Sequence, residues 1–221
     1  MPTLYYDKAD RTLIVLPTPE KARGRRLILL HGATPSGYHL GSWWDDVPPG
    51  IWSVGGTAVR LAKKGFEVFV PEAGDGAGRP GAWLERSLAW ANDGGPVPDV
   101  AGFSFGGSSA ILLARRAESS CRTSAPLRLG QLYGLDPAIR SRYVAEDLAK
   151  MTTPMEVLFA HTYRTHGRQH FDQHPQVRTR RVPRTRHRHF AIPLGVLGPL
   201  YAFADAGVER AHTAFESLLR V

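Results

Sequence analysis

A single serine, Ser104, stands between an apolar strand pattern and a helix rich in small residues, with a glycine two positions to either side. The pentapeptide is Gly102-Phe103-Ser104-Phe105-Gly106. Val97–Phe103 reads as a strand and Phe105–Glu118 as a helix opening on Gly106, Gly107, Ser108, Ser109 and Ala110. A strand that turns into a helix over one residue forces that residue into strained backbone angles. Glycines on both flanks remove the Cβ atoms that would block the turn. A serine held there meets the free N–H groups and positive dipole end of the helix. The same serine could instead cap the helix beside packing glycines. The strand-turn-helix context favours a nucleophile.

The rest of the chain repeats the alternation. Arg11–Pro17, Arg26–His31, Glu67–Val70, Leu127–Leu135, Met155–His161 and Val177–Val182 read as strands. Leu27–Leu30 is apolar at every position, as expected of a strand covered on both faces. Val54–Lys64, ending at Gly65, then Ala82–Ala91, Ala138–Met151 and Ala204–Leu219 read as helices. Tyr38–Gly50 and Gly74–Gly81 read as loops. Crossover helices join parallel strands, so the expected class is α/β: an open, mostly parallel sheet with helices on both faces. Ligands in such sheets lie beyond the carboxyl ends of the strands. That edge collects His31–Gly37, Ser104, Asp136, His161–His174 and Arg184–His189.

The chain has 221 residues, 43% hydrophobic and 22% charged, and is expected to fold as one domain over 1–221. Its longest apolar runs fall far short of the roughly 20 residues that span a bilayer. No basic segment followed by an apolar one opens the chain, so a cytoplasmic protein is expected. The lone Cys121 excludes an internal disulfide and a multi-cysteine zinc site. The net charge of +8 is largely local: Arg178, Arg180, Arg181, Arg184, Arg186 and Arg188 fall in one stretch without an acid, and removing these six charges leaves +2. The stretch reads either as a solvated edge or as a surface for an anion. No zinc finger or aromatic RNA-binding pattern accompanies it, so nucleic acid is not the expected partner.

Taken together, these motifs resemble the α/β-hydrolase superfamily, over about Arg26 to Leu219. Leu27-Ile28-Leu29-Leu30-His31-Gly32 is similar to the family's strand that ends in His-Gly before the oxyanion loop. Gly74-Asp75-Gly76-Ala77-Gly78 sits at its next Gly-rich turn, and the serine elbow follows in order. The resemblance implies that Ser104 is the nucleophile and that the N–H groups of Phe105 and Ala33, with Gly32 close by, form the oxyanion hole. His31 reads as a structural histidine at a strand end. Between Asp136 and Met155 there is room for about one helix, so no large cap domain is expected.

The nucleophile needs a base and the base an orienting acid, in the family order Ser, acid, His. The loop Arg184-Thr185-Arg186-His187-Arg188-His189-Phe190 supplies the base. His189 is the first choice, because Phe190 and Ala191-Ile192-Pro193 could pack behind it; His187 is the alternative. The family usually places the acid after the strand that is here Met155–His161, yet Thr162-Tyr163-Arg164-Thr165 holds no carboxylate. Asp136 is the first choice. Gly134-Leu135-Asp136-Pro137-Ala138 is similar to the acid-bearing segment of pancreatic-type lipases, although Asp136 could also cap a helix starting at Pro137. Asp172 is the alternative.

His166, His170 and His174 would share a helical face, but Gly167, Pro175 and the lack of an H-E-x-x-H pattern argue for a polar loop, and no metal is expected. Tyr38, Trp43 and Trp44, with Trp52, line a substrate pocket or anchor a long loop. The expected function is a serine hydrolase, foremost a carboxylic ester hydrolase, working without a cofactor through an acyl-enzyme. Its substrate is a small or lipid-like ester, with an acidic one suiting the arginines. The alternatives are a non-catalytic binding protein of the same fold and a polyanion binder acting through Arg178–Arg188.

Overall fold

The computed structural model describes residues 1–32, 47–73, 80–120, 128–139, 141–162, 166–191 and 206–220. Eight strands form one sheet: β1 (Thr3–Asp7), β2 (Thr12–Leu16), β3 (Arg25–Leu30), β4 (Phe66–Pro71), β5 (Asp99–Phe103), β6 (Leu132–Leu135), β7 (Met155–Ala160) and β8 (Val177–Val182). Their order is β1-β2-β4-β3-β5-β6-β7-β8. β1 and β2 run antiparallel to each other, and β2 antiparallel to β4. All pairs from β4 to β8 are parallel. The open α/β sheet expected from the alternation is therefore present.

Among the described residues six helices flank it: α1 (Pro49–Ala62), α2 (Ala82–Ala91), α3 (Phe105–Ser120), α4 (Arg142–Lys150), α5 (Arg168–Asp172) and α6 (Ala206–Leu218). Two buried clusters cover the two faces. One joins Ile51, Val54 and Leu61 of α1 and Phe215 of α6 to Leu27, Leu29 and Val68 of the sheet. The other joins Trp83 and Leu84 of α2, Ile111 of α3, Val144 of α4 and Phe171 of α5 to Ile28, Leu30 and Val157. Successive residues of β3 thus feed opposite cores, which is why Leu27–Leu30 has no polar position. No helix among the described residues is long and apolar enough to cross a membrane.

Four differences from the sequence reading have local causes. β1 was not expected. It is an edge strand with only Leu4 and Tyr6 packed inward, so it lacks a continuous apolar run. α1 begins at Pro49, inside the segment read as loop, with Pro favoured in the first turn because its missing N–H has no role there. β6 begins at Leu132, because Gly130 and Gln131 spend their N–H groups on Pro98 O and on the Asp99 carboxylate. α4 begins only at Arg142, not at Ala138. Ala138 N–H is committed to Ser104 O at 2.9 Å and Ile139 N–H to His166 O at 2.9 Å, so this stretch is spent on tertiary bonds before a helix can form.

Candidate active site

Ser104 sits at the end of β5 with φ 54°, in the left-handed region that a side chain with a Cβ enters only under constraint. The constraint is visible. Its N–H donates to Leu135 O at 3.1 Å, and its carbonyl accepts the N–H of Gly107 at 3.0 Å and of Ala138 at 2.9 Å. The elbow is therefore sewn to the end of β6 on both sides of Asp136. Ser108 adds a third stitch, its hydroxyl donating to Ala138 O at 2.6 Å. The flanking glycines are required by contact: a Cβ on Gly102 would strike Gly106 O, one on Gly106 would strike Leu30 O, and one on Gly107 would strike the Pro137 ring.

Asp136 is fully buried and also left-handed, with φ 46°. Its backbone N–H donates to Leu158 O at 2.7 Å, which fixes the turn out of β6. Oδ1 accepts the Ala160 N–H at 3.1 Å, and Oδ2 lies 2.6 Å from His187 Nδ1. An ionised carboxylate only accepts, so in this pair Nδ1 carries the proton. Asp136 does not cap a helix at Pro137, where none begins. Phe103, the residue before Ser104, stacks on the His187 ring with centroids 4.8 Å apart. The Asp136 contact and the stacking both hold the imidazole, and 27% of its side chain stays open to solvent. No hydrogen bond to the Ser104 hydroxyl is present among the described residues.

His189, the first choice for the base, lies elsewhere. It closes a 3-10 turn, His187–Phe190, is 4% exposed, and its Nδ1 accepts the Arg186 N–H at 3.0 Å. An Nδ1 that accepts from a backbone N–H has no proton to give to a carboxylate. Asp136 is brought to His187 instead. Asp172 is likewise engaged away from both histidines: it lies on α5, pairs with Arg168 Nε at 3.0 Å and accepts the Thr179 hydroxyl at 2.9 Å. The polar loop around it contains this short helix because Phe171 is fully buried on its inner side. His170 lies on α5 but His174 lies beyond it, so the three histidines do not share one helical face. Among the described residues, no group of three or more potential metal ligands occurs.

His31 is fully buried at the end of β3. Its Nδ1 lies 2.7 Å from Gly32 O, and its Nε2 accepts the Ala73 N–H at 2.8 Å. Nε2 is therefore the unprotonated nitrogen, and Nδ1–H donates to Gly32. Glu72 Oε1 lies 3.3 Å from the same Nε2. The histidine ties the end of β3 to the end of β4, and α1 packs on it so closely that a Cβ on Gly50 would enter the ring. Gly32 in turn lies against the serine: a Cβ there would be 2.9 Å from Ser104 Cβ. Phe105, the other expected oxyanion donor, is the first residue of α3. Ala33, Tyr38, Trp43, Trp44, Cys121 and the Gly74–Gly78 turn lie outside the described residues, as does the side chain of Trp52.

The sequence reading did not anticipate three contributors: Thr185, whose buried hydroxyl pins the turn before His187; Ala160, whose N–H holds Asp136; and Phe103, the stacking partner. The first and last carry side-chain signals, a Thr between two arginines and an aromatic beside the serine. A backbone N–H carries none.

The chain shares the α/β-hydrolase fold with several solved structures. A predicted CIB-like hydrolase from Thermoplasma acidophilum matches with a TM-score of 0.57 at 13% identity, over 100% of this chain and 99% of that one. The esterase domain of a Rhodothermus marinus protein matches with a TM-score of 0.52 at 13% identity, over 97% of each chain. An N-formylmaleamic acid deformylase from Pseudomonas putida S16 matches with a TM-score of 0.51 at 19% identity, over 82% of this chain and 92% of that one. No protein-family model matches the sequence, and no curated protein matches it.

Proposed function

We propose that the protein is a serine hydrolase, foremost a carboxylic ester hydrolase, with Ser104 as nucleophile, His187 as base and Asp136 as orienting acid. The observation that carries this reading is the 2.6 Å pair of Asp136 and His187, standing one strand from a left-handed serine at a helix start. Hydrolase and esterase neighbours of the same fold support it. In the first half-reaction Ser104 Oγ attacks the ester carbonyl while its proton passes to His187 Nε2. The carbonyl oxygen becomes an oxyanion, held by the N–H of Phe105 at the start of α3 and, by resemblance, that of Ala33. Collapse expels the alkoxide, which leaves as the alcohol with the proton from His187. Water then repeats the sequence on the acyl-enzyme, releasing the acid and restoring Ser104. Asp136 keeps Nδ1 protonated throughout and offsets the positive charge that develops on the ring. In this cycle Nε2 meets Oγ as the substrate binds, since catalytic hydrogen bonds often tighten only then. No step calls for a cofactor, and a cytoplasmic setting suits the single cysteine.

The test is hydrolysis of 4-nitrophenyl butyrate by the folded protein and by Ser104→Ala. Turnover that Ser104→Ala abolishes supports the reading. Turnover that survives the substitution, or a folded wild type that cleaves no activated ester, overturns it in favour of a binding protein of the same fold.

A further inference from the structure

Ser104, Asp136 and Arg184 are three of the non-glycine residues held at positive φ, at 54°, 46° and 55°. Ser104 and Asp136 follow β5 and β6 directly, and Arg184 follows β8 by two residues, so all three lie along the carboxyl edge of the sheet. Strained residues concentrate where geometry serves a site. For Ser104 and Asp136 that service is plain; for Arg184 it is not yet assigned.

The turn that carries Arg184 is built rather than loose. Thr185 is fully buried, its hydroxyl donates to Val182 O at 2.7 Å, and its carbonyl accepts the His161 N–H at 3.2 Å. Arg210 of α6 donates to Arg184 O at 3.0 Å. With Thr185 turned inward, Arg184 and Arg186 flank it as exposed side chains. Arg186 directly precedes His187, so their Cα atoms are about 3.8 Å apart.

Carboxylates on neighbouring elements are already engaged. Asp136 holds His187, Asp172 holds Arg168 and Thr179, and Glu209 and Glu216 both hold Arg60. Among the described residues, no carboxylate lies within ion-pair distance of Arg181, Arg184 or Arg186. Two guanidinium groups without an acidic partner among the described residues, on a pinned turn beside a partly open histidine, suit bidentate capture of a carboxylate.

We propose that Arg184 and Arg186 form an anion subsite beside His187 that selects esters carrying a second, free carboxylate group. The proposal rests on the hydrolase reading above and names its substrate class. The test compares charged esters with their neutral methyl esters: mono-4-nitrophenyl glutarate, with the charge on the acyl side, and 4-acetoxybenzoate, with the charge on the alcohol side. For at least one pair, kcat/KM is expected to favour the charged ester tenfold or more. The ratio should fall toward one in Arg184→Gln/Arg186→Gln and shrink as salt rises. Arg184→Gly relieves the left-handed backbone, so it is expected to lower the ratio without lowering thermal stability, which separates charge loss from unfolding. Equal kcat/KM within both pairs in the wild type overturns the subsite while leaving the hydrolase reading intact. Retention on heparin would then assign the arginines to polyanion docking. Failure to cleave any of the four esters overturns both.

Discussion

His187 Nδ1 stands 2.6 Å from Asp136 Oδ2, and the other oxygen of that carboxylate takes the Ala160 N–H at 3.1 Å. The pair draws its position from three strands: the aspartate directly follows β6, β7 supplies the amide, and the turn after β8 brings the histidine. Asp136→Asn keeps the shape but offers Nδ1 an amide in place of a charge. Its kcat on an activated ester is expected to fall by about 10²–10⁴, the range of a general base and its support. His187→Ala should fall at least as far. His189→Gln should keep most of the turnover and lose stability instead. Steady-state kinetics beside thermal melts separate the two histidines.

Gly107 packs against Pro137, where a Cβ would overlap the ring. Gly107→Ala is expected to destabilise by about 1–3 kcal/mol, the usual cost of overpacking. It should also lower kcat, because the displaced segment carries Asp136. Urea unfolding and ester turnover check the two effects. Ala substitution at Gly94, which has open space around it, has no such clash and strains only the backbone, at φ 91°.

His31 satisfies one buried carbonyl and one buried N–H at once. His31→Leu leaves both without a partner, at about 1–3 kcal/mol for each group. A drop in kcat larger than any change in KM is expected, because the freed carbonyl belongs to Gly32, which abuts Ser104. His31→Asn, which can still donate and accept, should recover part of both.

His212 on α6 is fully buried, and neither ring nitrogen has a hydrogen-bond partner among the described residues. Burial, reinforced by the Arg60 charge and opposed by Glu209, pushes its pKa down to about 3 from an ordinary 6.5. The unfolded chain therefore binds a proton below pH 6.5 that the folded chain refuses until about pH 3. Stability is full above pH 6.5 and is lost as pH falls through that window, with a limiting slope of about 1.4 kcal/mol per pH unit. Glu209, held down to about 2 chiefly by its hydrogen bonds with Arg60, loses its contribution only below its ordinary 4.5. Between pH 6.5 and 4.5 the histidine should dominate. Urea midpoints for the wild type and His212→Leu should diverge less at pH 5 than at pH 7 if the leucine is the poorer fit, and parallel curves would contradict the buried neutral ring.

The sheet and its serine were legible because they rest on local patterns: the apolar run of β3, the glycines about Ser104, and the small residues opening α3. The place of Asp136 at the carboxyl edge of the sheet was legible for the same reason, through the Gly-Leu-Asp-Pro-Ala segment. The pairing of that aspartate with His187 was not. The apolar residues after His189 do mark burial, and His189 is buried, but a base needs a ring nitrogen open to the site. The apolar signal pointed to the packed ring, whereas Asp136 pairs with His187. Edge strand β1 and the late start of α4 escaped because an exposed edge has no apolar run and because tertiary hydrogen bonds do not appear in a one-dimensional pattern.

In the proposed mechanism His187, oriented by Asp136, activates Ser104. The most direct measurement of this activation is the rate of fluorophosphonate labelling, with the modified residue located by mass spectrometry, on the wild type, Asp136→Asn, Asp172→Asn, His187→Ala and His189→Gln. Stoichiometric labelling of Ser104 is expected, slowed by the Asp136 and His187 substitutions and little changed by the other two. No labelling of folded wild type, or slowing by His189→Gln and Asp172→Asn in place of their counterparts, would contradict it.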